Sequence, residues 1–288
     1  MSKIKAYCEL FKLKQTALLV YSGIFGYLIA AGLGIDWKTL CIFIVASFLS
    51  VSGTTGLNMY YDRDIDAIMF RTRTRPLPMG KLDPDEAFAV SMTLTIMGIA
   101  LGFLINYWVG LSILLGFLID VYVYTVFLKR RTPLNIVIGA IAGGMPIFGG
   151  YAAYVGYPTL KGTLLLLIIA IWAILHIWFI ATYYVEDYAR AGIPMLPVVV
   201  GEEKTVKISF LGLIILFLII LIMKMMNYAT IYSLALSGIF TIFICIMLIK
   251  YLRTNNREFI RRAYKVLNPY LGFLLIALFL EKIFANII

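Results

Sequence analysis

Nine continuous apolar stretches, each about 20 residues long, account for most of the 288-residue chain. An α-helix needs about 20 mainly apolar residues to cross the hydrocarbon core of a membrane. A transmembrane barrel would instead show segments of about ten residues with alternating hydrophobicity. We therefore predict an all-α, polytopic membrane protein that forms a single domain over residues 1–288. The predicted spans are 16–34, 39–60, 86–106, 108–128, 134–155, 160–184, 206–226, 228–250 and 266–287.

The composition agrees with lipid as the surrounding medium. Hydrophobic residues make up 62% of the chain, whereas soluble domains contain about 45–50%. The net charge of +10 comes from basic residues in short loops between the apolar stretches. Because that pattern is typical of membrane topology rather than of a basic face, it argues against nucleic acid as a partner.

The lysines and arginines predict the orientation of the bundle. All but four of the 25 lie before the first span or in the loops that follow even-numbered spans. The four exceptions are Lys38, Lys161, Lys224 and Lys282. Since short cytoplasmic loops carry the excess of basic residues, we expect the N-terminus in the cytoplasm and, after nine spans, the C-terminus outside. The cytoplasmic loops also hold nearly all the acidic residues, so we expect the active site at that face of the cell membrane.

A cluster of oxygen-bearing side chains follows the second span. Asn58, Asp62 and Asp66 recur every four residues, so they share one face if the helix continues through them, and Asp64 then points to the other side. Such a group suits Mg²⁺ or another divalent cation, which typically takes one or two carboxylates and fills its remaining positions with water and substrate phosphate.

Three arginines follow the cluster, at Arg71, Arg73 and Arg75. A guanidinium group grips phosphate through two parallel hydrogen bonds, which favours Arg71 and Arg75 as ligands of the same phosphate. The alternative is that these charges only anchor a helix end at the membrane interface. That alternative is weaker for Asp62 and Asp66, because carboxylates near a membrane are costly unless they are paired.

Three segments together resemble one known family. Residues 58–81 (NMYYDRDIDAIMFRTRTRPLPMGK) resemble the signature of the UbiA superfamily of intramembrane prenyltransferases. Residues 124–146 (YTVFLKRRTPLNIVIGAIAGGMP) and 176–204 (HIWFIATYYVEDYARAGIPMLPVVVGEEK) more narrowly resemble its protoheme IX farnesyltransferases, also called heme O synthases.

The resemblance implies a reaction. A farnesyl group would pass from farnesyl diphosphate to a vinyl group of heme b, with addition of water, to give heme O and diphosphate. Heme b would then be a substrate rather than a cofactor, and Mg²⁺ would assist the diphosphate. Three alternatives stay open: a UbiA-type enzyme with a quinone precursor or a glycerol lipid as acceptor, a transporter, and a membrane protein without catalysis.

The resemblance also implies site residues outside the first cluster. It favours Asp187 as a catalytic residue, with Tyr183 one turn before it, and it favours Lys129 and Arg130 as ligands of the diphosphate. The basic pair could equally be a simple anchor at the cytoplasmic interface. Tyr124 either faces the substrate cavity or belongs to the interfacial belt of aromatic residues.

The loop after the sixth span carries a second acidic cluster. Glu186 and Asp187 are adjacent, so on a helix they point about 100° apart and cannot face one metal ion equally. One metal ion or two therefore both remain open. Pro194 and Pro197 predict that no regular helix forms in this loop.

Two ionisable residues lie within predicted spans. His176 is the only histidine; it is either packed and hydrogen-bonded or, as the resemblance favours, a contact to heme, because histidine is a usual axial ligand of heme iron. Asp120 has either a structural partner or a position facing the cavity.

The fifth span is rich in small residues. Its glycines and proline either let neighbouring helices approach closely or make room for a flat macrocycle or an isoprenoid. They are Gly143, Gly144, Pro146, Gly149 and Gly150.

Overall fold

The computed structural model describes residues 3–285, whose regular structure is helical throughout. The helices are α1 (Lys3–Leu10), α2 (Leu13–Ala31), α3 (Trp37–Tyr61), α4 (Arg63–Ile68), α5 (Pro84–Ile105), α6 (Tyr107–Phe117) with a π-helical continuation (Leu118–Leu128), α7 (Asn135–Val155), α8 (Leu160–Tyr183), α9 (Val185–Arg190), α10 (Leu196–Val200), α11 (Glu202–Met225), α12 (Ile231–Thr254) and α13 (Glu258–Ala285). Within the described residues, nine helices are apolar and long enough to cross a bilayer, which confirms the predicted number of spans.

The largest difference from the predicted bounds is at the start of α13. This helix begins at Glu258 rather than at 266, because its first turns are amphipathic: Ile260 and Ala263 are fully buried while Arg261 and Arg262 are exposed. The apolar stretch alone reveals the membrane-crossing part of such a helix and misses its polar extension. Of the predicted span 266–287, residues 286 and 287 lie outside the described part of the chain.

The prediction that residues around Pro194 and Pro197 form no regular helix was wrong in part. The short helix α10 begins at Leu196 and places Pro197 in its first turn. Proline is tolerated there because the first backbone N–H groups of a helix have no partner within the helix.

The nine long helices pack into one bundle. The most extensive contacts join α3 to α5, α2 to α7, α7 to α8, and α12 to α13. Four connections, residues 62–83, 129–134, 184–201 and 255–257, meet at one end, which we call the basic end. The predicted sites lie there.

The opposite end of the bundle is closed by short, hydrogen-bonded connections. Asn106 alone separates α5 from α6, and its side-chain amide donates to the carbonyl oxygen of Ala152 on α7 at 3.0 Å. Glu281 of α13 accepts hydrogen bonds from the backbone amides of Thr230 (3.0 Å) and Ser233 (2.9 Å) at the start of α12. These contacts tie neighbouring helices together at that end.

The small residues of α7 lie in two settings, one in a close helix crossing and one in the wall of a cavity. A β-carbon added at Gly150 would lie 1.9 Å from the carbonyl oxygen of Gly23 on α2, so glycine permits this helix crossing. Gly143, Pro146 and Gly149 instead line a cavity inside the bundle. The face of α7 that touches α2 is therefore a packing surface, and the next face gives room.

We predict that Gly150→Ala destabilises the fold. The methyl group would collide with backbone, and overpacking of this kind costs about 1–3 kcal/mol, more than the ~1 kcal/mol that alanine gains over glycine in a helix. Thermal unfolding in detergent measures the effect as a lower midpoint. Gly143→Ala is the matched control on α7, because its β-carbon would meet only the β-carbon of Ala173, at 3.9 Å. An unchanged midpoint in Gly150→Ala would contradict the packing interpretation.

Candidate active site

Helical hydrogen bonding continues from α3 through Asp62 into α4. The backbone amide of Asp62 donates to the carbonyl oxygen of Asn58 at 3.0 Å, and the amide of Asp66 donates to the carbonyl oxygen of Asp62 at 2.8 Å. This winding buries Asp62 and Asp66, which are 5% and 3% exposed, and leaves Asp64 exposed. The structure therefore has the helical register that the spacing of four predicts.

Each buried carboxylate is paired with a cation from another part of the basic end. Lys129 Nζ contacts Asp62 Oδ2, and Arg75 Nη1 donates to both oxygens of Asp66, at 2.8 and 2.6 Å. Burial lowers the pKa of Lys129, but the Asp62 carboxylate more than offsets it and holds that pKa above its usual value. Lys129 is therefore a charged ammonium group.

Arg130 lies outside this buried cluster. Its guanidinium donates to both oxygens of Asp64, each at 2.7 Å, and both side chains are exposed. These hydrogen bonds hold the pKa of Asp64 below its usual value. Although Lys129 and Arg130 are adjacent in sequence, only Lys129 reaches the buried carboxylates.

Asn58 is held by the π-helical segment. Its amide nitrogen donates to Asp120 Oδ2 at 2.6 Å, and its amide oxygen accepts from Thr125 Oγ1 at 2.9 Å. The Thr125 hydroxyl also lies 2.8 Å from the carbonyl oxygen of Asp120, five residues earlier, as the wider π winding permits. Both the nitrogen and the oxygen of the Asn58 amide are therefore engaged by the π-helical segment. Asp120, the partner of the nitrogen, also lines a cavity inside the bundle.

An apolar cavity of about 230 Å³, which we call the central cavity, reaches this cluster at Asp120, the partner of Asn58. Its polar end is formed by Asp120 and Tyr124, and its apolar wall includes Phe43, Pro146 and Ile177. Tyr124 also contacts the ammonium group of Lys129, which lies 5.7 Å from the ring centroid. Of the two interpretations of Tyr124, the structure has the one in which it faces the cavity.

Lys12, one of the basic residues before the first span, also belongs to this cluster. It forms the break between α1 and α2 with a left-handed backbone (φ 43°), and its ammonium group is close enough to Asp62, Asp66, Arg75 and Lys129 to interact with all four. Burial, reinforced by the two neighbouring cations, lowers the pKa of Lys12 to about 8. No spacing or motif distinguishes Lys12 from the other basic residues near the N-terminus.

The residues present fit a divalent cation held by few protein ligands. Among residues 3–285, no three or more His, Cys, Asp or Glu side chains are grouped as a ligand set. However, Asp62 Oδ1 is buried without a hydrogen-bond partner. A buried carboxylate oxygen in that state is a suitable ligand for Mg²⁺, which commonly uses one or two carboxylates together with water and substrate phosphate.

The second acidic cluster, Glu186 and Asp187, makes different contacts from the first. Asp187 is buried, and its two oxygens accept hydrogen bonds from the backbone amides of Phe70 (3.1 Å) and Arg71 (3.0 Å). Glu186 is exposed and pairs with Arg257 instead. Asp187 therefore fastens the loop after α4 to the loop after α8.

Arg71 is directed towards this second cluster. Its guanidinium donates to the Tyr188 hydroxyl at 3.2 Å and lies 5.5 Å from the ring centroid of Tyr184. Together with Tyr183 and Tyr184, Arg71 lines two further cavities, of about 300 and 520 Å³. Arg71 and Arg75, close in sequence, thus serve different parts of the basic end.

His176 faces α13. Its Nδ1 lies 2.8 Å from Asn268 Oδ1, and its ring centroid lies 4.9 Å from that of Tyr264. The residues of α8 that line the central cavity are Ala173 and Ile177. His176 therefore sits on the wall between the central cavity and α13 rather than at the carboxylates.

Proteins of one family resemble this chain over nearly its whole length. The model of the UbiA prenyltransferase family matches residues 19–277. A protoheme IX farnesyltransferase of Thermofilum pendens is 43% identical over 273 residues, which cover 94% of this chain and 96% of the relative. Another from Hyperthermus butylicus is 40% identical over 280 residues, which cover 96% of this chain and 94% of the relative.

Solved structures share the fold. A structure described as that of digeranylgeranylglyceryl phosphate synthase superposes with a TM-score of 0.81 at 23% identity, covering 98% of this chain and 99% of that one. A UbiA homologue from Archaeoglobus fulgidus bound to GPP and Mg²⁺ superposes with a TM-score of 0.71 at 16% identity, covering 95% of this chain and 99% of that one.

We predict that Asp187→Asn loosens the loop after α4. An amide side chain can accept only one of the two backbone hydrogen bonds, and an unsatisfied buried donor costs about 1–3 kcal/mol, so the open loop should become at least about fivefold more populated. The rate of tryptic cleavage at Arg71 and Arg73 measures this. Glu186→Gln is the control, because it removes only an exposed ion pair. Equal cleavage rates in wild type and Asp187→Asn would rule out the fastening role.

Proposed function

The chain belongs to the UbiA prenyltransferase family, and we propose that it transfers a farnesyl group from farnesyl diphosphate to a vinyl group of heme b. Water adds in the same reaction, and the products are heme O and diphosphate. The acceptor and donor are proposed from the relatives that cover nearly the whole chain and from the segments that resemble protoheme IX farnesyltransferases.

One observation carries the chemistry. Two buried carboxylates, Asp62 and Asp66, are paired with partly buried cations close to the polar end of an apolar cavity. This arrangement suits a substrate with a diphosphate at one end and an isoprenoid chain at the other. Asp62 and Asp66 would hold the divalent cation, with Asn58 as a support, and the cation would neutralise negative charge on the diphosphate.

The charged side chains of the cluster have a defined role in this proposal. Breaking the bond between the first farnesyl carbon and its oxygen leaves both electrons on the diphosphate. Lys129, Arg75 and Lys12 would stabilise that charge, which is usually the largest single catalytic contribution. Asp187 would act on the same step by positioning the loop that carries Arg75.

The cavity controls what happens to the allylic cation that remains. Its apolar wall holds the isoprenoid chain and keeps water away until a vinyl carbon of heme b attacks and forms the new carbon–carbon bond. The positive charge then lies next to the macrocycle, where water adds and loses a proton. Tyr124, at the polar end of the cavity, is well placed to contact the reacting carbon.

We further propose that the basic end faces the cytoplasm. The distribution of lysine and arginine supports this orientation. Both diphosphate release and access of water-soluble Mg²⁺ are then on the cytoplasmic side.

The test of the function is product identity. Purified full-length protein is incubated with heme b, Mg²⁺ and prenyl diphosphates of several lengths, and product masses are read. We expect a hydroxyethylfarnesyl adduct of heme. Turnover with a quinone precursor or a glycerol lipid, and none with heme b, would overturn the proposed acceptor but keep the prenyltransferase chemistry.

We predict that Asp62→Asn and Asp66→Asn each lower turnover by about 10²–10³-fold, the usual cost of removing one charge-stabilising group. Asp64→Asn is the matched control: it lies between them in sequence, is exposed, and among the cations of residues 3–285 forms an ion pair only with Arg130. The readout is the initial rate of heme O formation. A larger loss in Asp64→Asn than in the other two would show that the wrong face of α4 has been assigned.

We predict that His176→Ala changes heme binding and leaves farnesyl diphosphate binding intact. His176 lies on the α13 side of α8, away from the buried carboxylates, and its ring contacts that of Tyr264, which lines the cavity of about 300 Å³. Its loss would therefore disturb an acceptor held in that cavity without touching the diphosphate. Absorbance titration with heme b measures the first quantity, and the KM for farnesyl diphosphate measures the second. An unchanged heme spectrum and affinity would leave His176 as a packed residue that bonds Asn268.

A further inference from the structure

The cavity of about 300 Å³ between α8, α13 and the loop after α4 is strongly basic, and we call it the basic pocket. Three of its lining residues are cationic, Arg71, Arg261 and Lys265, and none of them is acidic. Lys265 has no ion-pair partner among residues 3–285, and the nearest carboxylate oxygen to Arg261 is that of Glu258, at 3.4 Å. These charges are therefore available to an anionic ligand.

The basic pocket is separate from the carboxylate cluster. The diphosphate cations Lys129 and Arg75 are engaged with Asp62 and Asp66, and neither of them lines the basic pocket. This second concentration of positive charge can therefore serve an anionic group of the second substrate.

The basic pocket and the central cavity border the same stretch of α8. Ile177 of α8 lines the central cavity and Ile180 lines the basic pocket. Three residues along a helix correspond to a rise of about 4.5 Å and fall on one face. A ligand that spans both spaces must have an apolar body and an anionic end.

The walls of the basic pocket suit a flat apolar body. Tyr183, Tyr184 and Tyr264 line it, and the guanidinium of Arg261 lies 5.8 Å from the centroid of the Tyr183 ring. Aromatic rings contact flat conjugated ligands favourably, and an arginine held against a ring keeps its donors free for a carboxylate.

We propose that the basic pocket binds the two propionate carboxylates of heme b. This rests on the proposed function, which makes heme the acceptor. The propionates and the vinyl groups occupy opposite halves of the macrocycle, so holding the propionates here turns the vinyl groups towards the central cavity and the buried carboxylates. The pocket thereby selects which edge of the macrocycle reaches the allylic carbon.

The experiment compares heme b with its dimethyl ester, in which the carboxylates carry no charge. Purified full-length protein in detergent is titrated with each compound and absorbance is recorded. Each charge-assisted hydrogen bond contributes about 1.5–3 kcal/mol, so we expect wild type to bind heme b at least about tenfold more tightly than the ester. Arg261→Gln with Lys265→Gln should lose this preference by weakening only the binding of heme b.

The matched control removes two charges of the same region that lie outside the pocket. Lys250→Gln with Arg262→Gln serves, because both side chains pack on the ring of Phe259. This control should keep the wild-type preference, and all three proteins should have the same KM for farnesyl diphosphate. An equal loss in the control, or equal weakening of ester and acid in the pocket variant, overturns the proposal.

Two further outcomes separate the proposal from its alternatives. The pocket could instead hold an anionic lipid headgroup: if the pocket variant loses only bound phosphatidylglycerol and keeps its preference for heme b, the propionate assignment is wrong. If wild type farnesylates the ester as readily as heme b, the pocket assignment fails while the proposed function stands. Absence of any heme binding or heme product in wild type would instead reject the proposed function.

Discussion

Burying a carboxylate at the end of an apolar helix bundle is expensive unless an opposite charge is brought to it. Asp62 and Asp66 are both buried, and their partners come from distant parts of the chain. Lys129 follows the span formed by α6 and its π-helical continuation, and Arg75 lies in the loop that turns back after α4. The chain at the basic end must therefore fold so that Lys129 and Arg75 reach these carboxylates, and the central cavity lies next to them.

The two acidic clusters look alike in sequence but stabilise different things. The first neutralises side-chain cations and keeps one carboxylate oxygen of Asp62 unpartnered. The second, through Asp187, accepts from two backbone amides of the opposite loop. The two clusters therefore differ in their contacts: an oxygen of Asp62 lacks a hydrogen-bond partner among the described residues, whereas both oxygens of Asp187 already accept from backbone amides.

The sequence predicts those features that depend on a single helix. The nine spans follow from runs of apolar residues, and the burial of Asp62 and Asp66 with the exposure of Asp64 follows from a spacing of four. Features that depend on contacts between helices were not predictable in this way. Lys12 approaches the carboxylates only because the break between α1 and α2 lies at the cluster. Asp120 accepts a hydrogen bond from Asn58, which belongs to a different helix. Arg261 lines a pocket only because α13 extends beyond its apolar stretch. The surface position of Arg130 was not predictable either, since the adjacent Lys129 points inward to Asp62 and Arg130 stays exposed.

The short connections at the opposite end have a mechanical consequence. Asn106 joins α5 and α6 without slack and is tied to α7, while Glu281 clamps α13 to the start of α12. Helices joined so tightly at one end can separate only by tilting about that end, and the displacement grows with distance from it. A small tilt that hardly disturbs the clamped end would therefore displace the basic end, which carries the reacting groups, the most.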